Sequence, residues 1–310
     1  MPDHPFLLEA KGLSRHFGNN IAVNDVSFSI KQGEVLGFLG PNGAGKSTTM
    51  KMLSGNLAPD KGQILINGID LLDKPAEAKA CIGYLPETPP LYKEQTVSEF
   101  LRFCAKLNNI PKKQRITAVD NAIERCGLSD VSQRLIGHLS KGFQQRVGIA
   151  QAIIHEPAVV ILDEPTSGLD PIQIREIRQL IREIANQHSV ILSTHILPEV
   201  DMLCNRVQII SEGQLLFIDT IETLHEYMQS SALLLRFDTE ISVQQLNAID
   251  HILQSERLAD NTYRVTFAPQ HDPTQAILRK SLVEQWQLTM LMPEKHSMED
   301  VFMKILREER

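Results

Sequence analysis

The sequence predicts an α/β protein with a doubly wound, mixed sheet, followed by a small α+β unit. Apolar runs at residues 35–39 and 159–162 read as buried strands. Helical stretches alternate with such strands, as in residues 171–187 followed by the strand 190–194. Directly after the first of these strands comes Gly40-Pro41-Asn42-Gly43-Ala44-Gly45-Lys46-Ser47-Thr48, which fits the pattern G-x-x-x-x-G-K-[ST] without mismatch and lies where a strand turns into a helix.

The residue types of that loop suit phosphate. Glycines let successive backbone N–H groups converge on phosphate oxygens with no Cβ in the way, and the helix opening at Lys46 adds the positive end of its dipole. Lys46 is expected to reach the β- and γ-phosphates, and the Ser47 hydroxyl to hold Mg²⁺. No N-K-x-D stretch for guanine accompanies the loop, so a GTPase is not expected. The strand at 159–162 leads into Asp163-Glu164. Carboxylates at the carboxyl edge of a parallel sheet face the same crevice as the loop, where one acid can bind Mg²⁺ and the next can polarise water. His195 ends the strand 190–194; taken alone, such a histidine is more often structural.

The chain has 310 residues, of which 42% are hydrophobic and 22% charged, enough for one full core and a smaller second one. Its formal net charge of −7, with no block of basic residues, gives nucleic acid no long footprint, so none is expected as a partner. Cys81, Cys104, Cys126 and Cys204 form no C-x-x-C pair and read as reduced thiols of a cytosolic protein. The start, Met1-Pro2-Asp3-His4-Pro5, lacks the regions of a signal peptide, and no run approaches a membrane span. The protein is therefore expected in the cytoplasm unless a partner holds it at a membrane.

Strands are expected at residues 7–10 and 21–30, and between them Phe17 either stacks on a purine or fills a small core. Further strands are expected at 63–67 and 82–85. From Thr88 to about Leu135 the pattern turns helical: Thr96-Val97-Ser98-Glu99 has the form of a capping box before Phe100, Leu101, Phe103, Cys104 and Leu107, and a second helix from about Lys112 stops at Gly127. This reads as an inserted helical layer. A helix covers 140–155, two short strands flank Glu212-Gly213-Gln214, and a helix spans 221–228. The polar pair Ser230-Ser231 is taken as the boundary, giving domains 1–230 and 231–310. The second should run strand 233–237, helix 243–253, strand 263–267, helix 274–286, strand 288–292 and helix 297–307, the last with Met298, Val301, Phe302, Ile305 and Leu306 on one face. It holds no cluster suited to chemistry.

Taken together, the phosphate loop, the stretch Leu139-Ser140-Lys141-Gly142-Phe143-Gln144-Gln145-Arg146 and the run Ile161-Leu162-Asp163-Glu164-Pro165-Thr166-Ser167-Gly168-Leu169-Asp170 resemble an ABC transporter ATP-binding subunit over about residues 5 to 230. Ser193-Thr194-His195 resembles the family's switch histidine, and Met298-Glu299-Asp300-Val301-Phe302 resembles the C-terminal extension of ABC-2 type exporters, the group with multidrug and gliding-motility ATPases. The resemblance implies an ABC cassette, with an antiparallel β subdomain and a helical subdomain at about 88–135. It implies that Asp163 acts on Mg²⁺, that Glu164 is the general base, and that His195 and Lys46 contact the γ-phosphate. It further implies that Ser140, Gly142 and Asp170 meet the nucleotide of a second copy, so that two ATP molecules are buried in a homodimer. That two-state clamp would drive a separate multi-span permease from the cytoplasmic face of the membrane, for export. The helical layer would be the docking surface, with Leu91, Tyr92 and Phe100 either meeting the partner or packing inside.

Two positions depart from the family pattern. Lys141 replaces the second signature glycine, so any positive φ there would be strained. Glu87 stands where the family has a glutamine that touches Mg²⁺ and the attacking water; it either takes that role with an added charge or faces solvent. The competing reading is a soluble ABC ATPase remodelling a ribosome or DNA complex. Such chains usually carry two cassettes or a long coiled coil, and this one has neither.

Overall fold

The computed structural model describes residues 6–268 and 271–295, and the chain divides into two compact units, Met1–Ile221 and Glu222–Arg310. The helix expected at 297–307 and the exporter-like tail from Met298 to Phe302 lie outside the described residues. The division falls one helix before Ser230-Ser231, which sits inside a strand instead of between units.

In the first unit, β1 (Leu8–Phe17) and β2 (Asn20–Ile30) form an antiparallel hairpin, and β3 (Val35–Leu39) leads through the phosphate loop into α1 (Lys46–Leu53). β4 (Lys61–Ile66) and β5 (Ile69–Asp70) complete a four-stranded sheet of order β2-β1-β4-β5. After α2 (Pro75–Lys79) and β6 (Ile82–Leu85) the chain enters the helical layer. There α3 (Val97–Leu107) starts on the expected capping box: Glu99 N–H donates to Thr96 Oγ1 at 3.2 Å, and Thr96 N–H to Glu99 Oε2 at 2.9 Å. α4 (Arg115–Arg125) starts later than expected, after a turn in which Gln114 N–H donates to the Pro111 carbonyl, and Gly127 follows it at φ 62°.

The second sheet is built from β3, β7 (Val159–Asp163), β8 (Ser189–Thr194), β9 (Arg206–Ser211) and β10 (Gln214–Thr220) with β6 at its edge, in the order β10-β9-β3-β8-β7-β6. All neighbours are parallel except β10, which runs antiparallel to β9. α5 (Lys141–Ile153), α6 (Pro171–Ala185) and α7 (Leu197–Leu203) pack around it. Every residue of β3, β7 and β8 is buried, which is why residues 35–39, 159–162 and 190–192 read as apolar runs without alternation. The carboxyl ends of β3, β7 and β8 carry the phosphate loop, Asp163-Glu164 and Thr194-His195 to one edge. Burial pushes the Cys104 and Cys126 thiols up to about 12.

Following α8 (Ile221–Met228), the second unit contains β11 (Gln229–Phe237), α9 (Val243–Asn247), β12 (Ile252–Ala259), β13 (Thr262–Phe267), α10 (Thr274–Val283) and β14 (Leu288–Lys295). Its sheet is antiparallel, in the order β12-β13-β11-β14, and Leu235, Phe237, Tyr263, Val265, Ile277 and Trp286 form its core. The helix expected to reach residue 253 stops at Asn247. The capping box of Ser242 and Gln245 nucleates only this short helix, and residues 252–259 pair instead with β13. β12 buries only Ser255 with its side chains, so no apolar alternation marks it; pairing with a neighbour decides its form.

Candidate functional site

The loop after β3 wraps the N-terminus of α1. Gly43 and Gly45 adopt φ of 82° and 108°, and a Cβ on Gly40 would lie 2.3 Å from the Ile210 carbonyl oxygen. Lys46 folds back over the loop, donating to the carbonyls of Gly40 at 2.8 Å and Pro41 at 3.2 Å, and its ammonium lies 3.4 Å from Glu164 Oε1. Ser47 Oγ donates to Asp163 Oδ1 at 3.2 Å, and Ser193 Oγ donates to the same oxygen. Burial pushes the Asp163 carboxyl above its ordinary range; the bonds from Ser193 and Ser47 oppose this, the Glu87 charge adds to it, and Lys46 offsets part.

Glu164 sits in left-handed backbone at φ 49°, a conformation that costs a non-glycine residue roughly 1–3 kcal/mol. Two bonds of 3.1 Å hold it there, from its N–H to Ser193 Oγ and to the Ser193 carbonyl. The resulting turn aims its side chain, 9% exposed, between Lys46 and His195, whose Nδ1 lies 2.9 Å from Glu164 Oε2. β3, β7 and β8 thus bring Lys46, Ser47, Asp163, Glu164 and His195 together.

These residues border a cleft of about 720 Å³, whose lining joins Phe17, Asn20, Ile21 and Ala22 of the β1–β2 hairpin to Lys46, Ser47, Glu164 and His195. Of the loop, Asn42, Gly43, Gly45, Lys46, Ser47 and Thr48 line it; Gly40, Pro41 and Ala44 lie behind, holding Lys46 or the Gly213 amide through their carbonyls. Phe17 is 49% exposed and lines the cleft, so it is no core ring, and the Arg15 guanidinium lies 5.1 Å from its centroid. Glu87 is exposed, yet its exposed side chain faces this cleft.

The signature residues lie apart from the cleft lining. Ser140 caps α5 by accepting from Phe143 N–H at 3.4 Å, and Asp170 caps α6 by accepting from Ile172 and Gln173 N–H at 3.0 and 2.9 Å. Gly142 is buried where a Cβ would come 2.8 Å from Gln173 Cδ. Lys141 opens α5 in helical backbone, so the strain feared at a positive φ is not present. Phe100 is 2% exposed and belongs to the core; Leu91 is half-buried, whereas Tyr92 is 50% exposed with its ring 6.0 Å from Phe100 and 5.5 Å from Phe103.

Sequence reasoning missed Asn20, Ile21, Ala22, Ser167 and Glu212 in the cleft lining. Ile21, an exposed aliphatic just past the turn of the β1–β2 hairpin, was the readable signal. Glu212 carried none, because only the fold brings the β9–β10 turn beside Ala22.

Residues 23–167 match the model of the ABC transporter family. The chain is 41% identical to the bacitracin transport ATP-binding protein BcrA of Bacillus licheniformis, over 68% of each chain. It belongs to the ABC transporter family. An ABC transporter ATP-binding protein of Bacillus subtilis, YxlF, is 30% identical over 97% of this chain and 99% of its own, so the likeness runs through the second unit. A solved structure of an ATP-binding subunit of an ABC transporter superposes with a TM-score of 0.64 at 34% identity, covering 71% of this chain and 92% of that one. The fold is the ABC cassette, and the chain is an ATP-binding subunit that hydrolyses ATP to power transport. These relatives lend no support to a ribosome- or DNA-remodelling role. Among the described residues, no helix of this ABC subunit is long and apolar enough to cross a membrane.

Proposed function

We propose that two copies of this chain bury two ATP molecules face to face, and that hydrolysis reopens the pair to drive a separately encoded multi-span permease in export. The observation that carries this is a split site. Lys46, Glu164 and His195 share one cleft, while the helix N-terminus at Ser140, suited to anions, and Asp170 lie outside its lining where a second copy could present its nucleotide. The name of the bacitracin transport relative supports a transport role, and a permease would hold the chain at the cytoplasmic face of the membrane.

Within one cleft, Phe17 would stack on the adenine, the loop N–H groups would hold the phosphates, and Lys46 would turn from Glu164 to the β- and γ-oxygens. Glu164, freed from Lys46 and oriented by His195, would accept a proton from the attacking water, and His195 would donate to the γ-phosphate. The buried Asp163 carboxylate beside Ser47 Oγ, with Glu87 bordering the same cleft, fits a hard cation that takes oxygen ligands, so these three would hold Mg²⁺ together with the nucleotide. Bound there, Mg²⁺ would neutralise charge developing on the phosphate oxygens.

The exposed Tyr92 on the helical layer supports the reading of that layer as the permease-facing surface. Of the domains expected at 1–230 and 231–310, the first alone would carry the nucleotide chemistry, within the unit that ends at Ile221.

The test is Glu164→Gln. Removing the base should slow hydrolysis by about a hundredfold or more while leaving nucleotide binding in place. With saturating Mg²⁺ and ATP, light scattering should find the variant as a dimer. A strictly monomeric variant, alone and beside its permease, would overturn the proposal.

A further inference from the structure

We propose that Glu199 is a positioning residue for hydrolysis, locking the segment that carries Glu164 to the strand end that carries His195; this rests on the roles given to those two residues above. Glu199 lies in the first turn of α7 and is fully buried. Its carboxylate gathers three donors from three elements. Oε1 accepts from Thr166 Oγ1 at 2.6 Å and from Arg178 Nη2 at 3.2 Å, and Oε2 accepts from Thr194 Oγ1 at 2.8 Å. Arg178 comes from α6, and its side chain is only 15% exposed.

The two threonines are where the clamp acts. Thr166, itself 3% exposed, sits inside the turns that Ser167 N–H closes on the Glu164 carbonyl at 3.1 Å and Leu169 N–H closes on the Thr166 carbonyl at 3.2 Å. Thr194 directly precedes His195, and its Oγ1 also accepts from Ile196 N–H at 3.0 Å. The bond of 2.9 Å between Glu164 and His195 is thus made between two segments that a single carboxylate ties together from behind. Glu199 does not line the cleft, so it acts through these neighbours and not on nucleotide.

A purely structural filler has no reason to be charged. Burying an ionised carboxylate costs several kcal/mol before its partners compensate, and an apolar side chain of similar size would pack as well. What the carboxylate adds is direction, because bonds to an ionised acceptor are short and geometrically strict. A base displaced by about 1 Å can lose on the order of a hundredfold in rate, so a fixed separation of Glu164 and His195 is worth holding.

The experiment measures ATP hydrolysis by the full-length chain against ATP concentration for Glu199→Ala, Glu199→Gln, Thr166→Val and the Ala/Val pair, with folding checked by thermal denaturation. Glu199→Ala should lower kcat by about ten- to a hundredfold while KM for ATP stays within about twofold. Glu199→Gln, which keeps one acceptor but loses the charge and the second acceptor, should recover only part of that loss. Thr166→Val should lower kcat by itself and add little in the Glu199→Ala background, as expected for two members of one network. Should the alanine variant fail to fold, Thr166→Val, which alters neither charge nor size appreciably, carries the test. Unchanged kcat in folded Glu199→Ala or in Thr166→Val, or additive losses in the pair, would overturn the clamp. Those results beside an inactive Glu164→Gln would sink this inference alone; an active Glu164→Gln would sink the assignment of the base.

Discussion

Glu87 borders the same cleft as Lys46 and Ser47, and its charge raises the proton affinity of Asp163. Two carboxylates bordering one phosphate site repel each other until a cation enters, so on the proposed reading each would strengthen the hold on Mg²⁺ at some cost to the empty site. Replacing Glu87 by Gln should leave ATP affinity within about twofold but raise the Mg²⁺ concentration for half-maximal hydrolysis by about two- to tenfold, the effect of one charge removed at a wet cleft edge. A magnesium titration of ATPase activity checks this, and identical half-points would show that Glu87 faces only solvent. At this scale the loop, Asp163, Glu164 and His195 were all readable, because each belongs to a contiguous motif with a fixed chemistry. Ser193 and Glu199 were not. Their importance comes from hydrogen bonds to residues distant in sequence, Asp163 for one and Thr166 for the other, which no local pattern encodes.

The β1–β2 hairpin shows how an element prepares a binding surface. Asp60, in the approach to β4, accepts from His16 N–H at 2.7 Å and pairs with Arg15 at 2.7 Å, while Arg15 lies against one face of the Phe17 ring. One face is thus backed by a cation, and the ring is held at the mouth of the cleft. Loss of that support in Arg15→Ala should weaken binding of a fluorescent ATP analogue by about two- to fivefold without altering hydrolysis at saturation. Asp60→Asn should act in the same direction. The His16 N–H above all, with the His16 ring and Arg15, holds the Asp60 carboxyl below its ordinary value of 3.8. Its folded-state value being depressed, the tether is fully present above that ordinary value and is lost only as pH falls through the lowered one, so the affinity at pH 5 should match that at pH 7 as far as this hairpin is concerned. Tenfold weaker binding in Asp60→Asn with an unchanged Arg15→Ala would show that the ring needs no such backing.

For the molecule as a whole, each unit has its own core, the second built around Leu235, Phe237, Tyr263 and Trp286. A chain ending after Met228, which keeps α8 whole, should bind ATP with Mg²⁺ within about twofold of the full chain; calorimetry decides, and lost binding would show that the first unit depends on the second. The alternation of buried strands and helices made most of the first unit legible, since residues 35–39, 159–162 and 190–192 are apolar on both faces, whereas α2 and α7 were not read because each is too short to show a helical period. The second was read less well. β12 exposes most of its side chains and is a strand only because β13 accepts it, and the unit boundary carries no composition shift at Ile221. The left-handed backbone at Glu164 has a last consequence. Asn or Gly would sit there more comfortably than the acid to which the proposed mechanism gives the role of base, so a library sieved for thermal robustness alone would drift toward Glu164→Asn or Glu164→Gly. Its winners would outlast the natural chain and pump nothing.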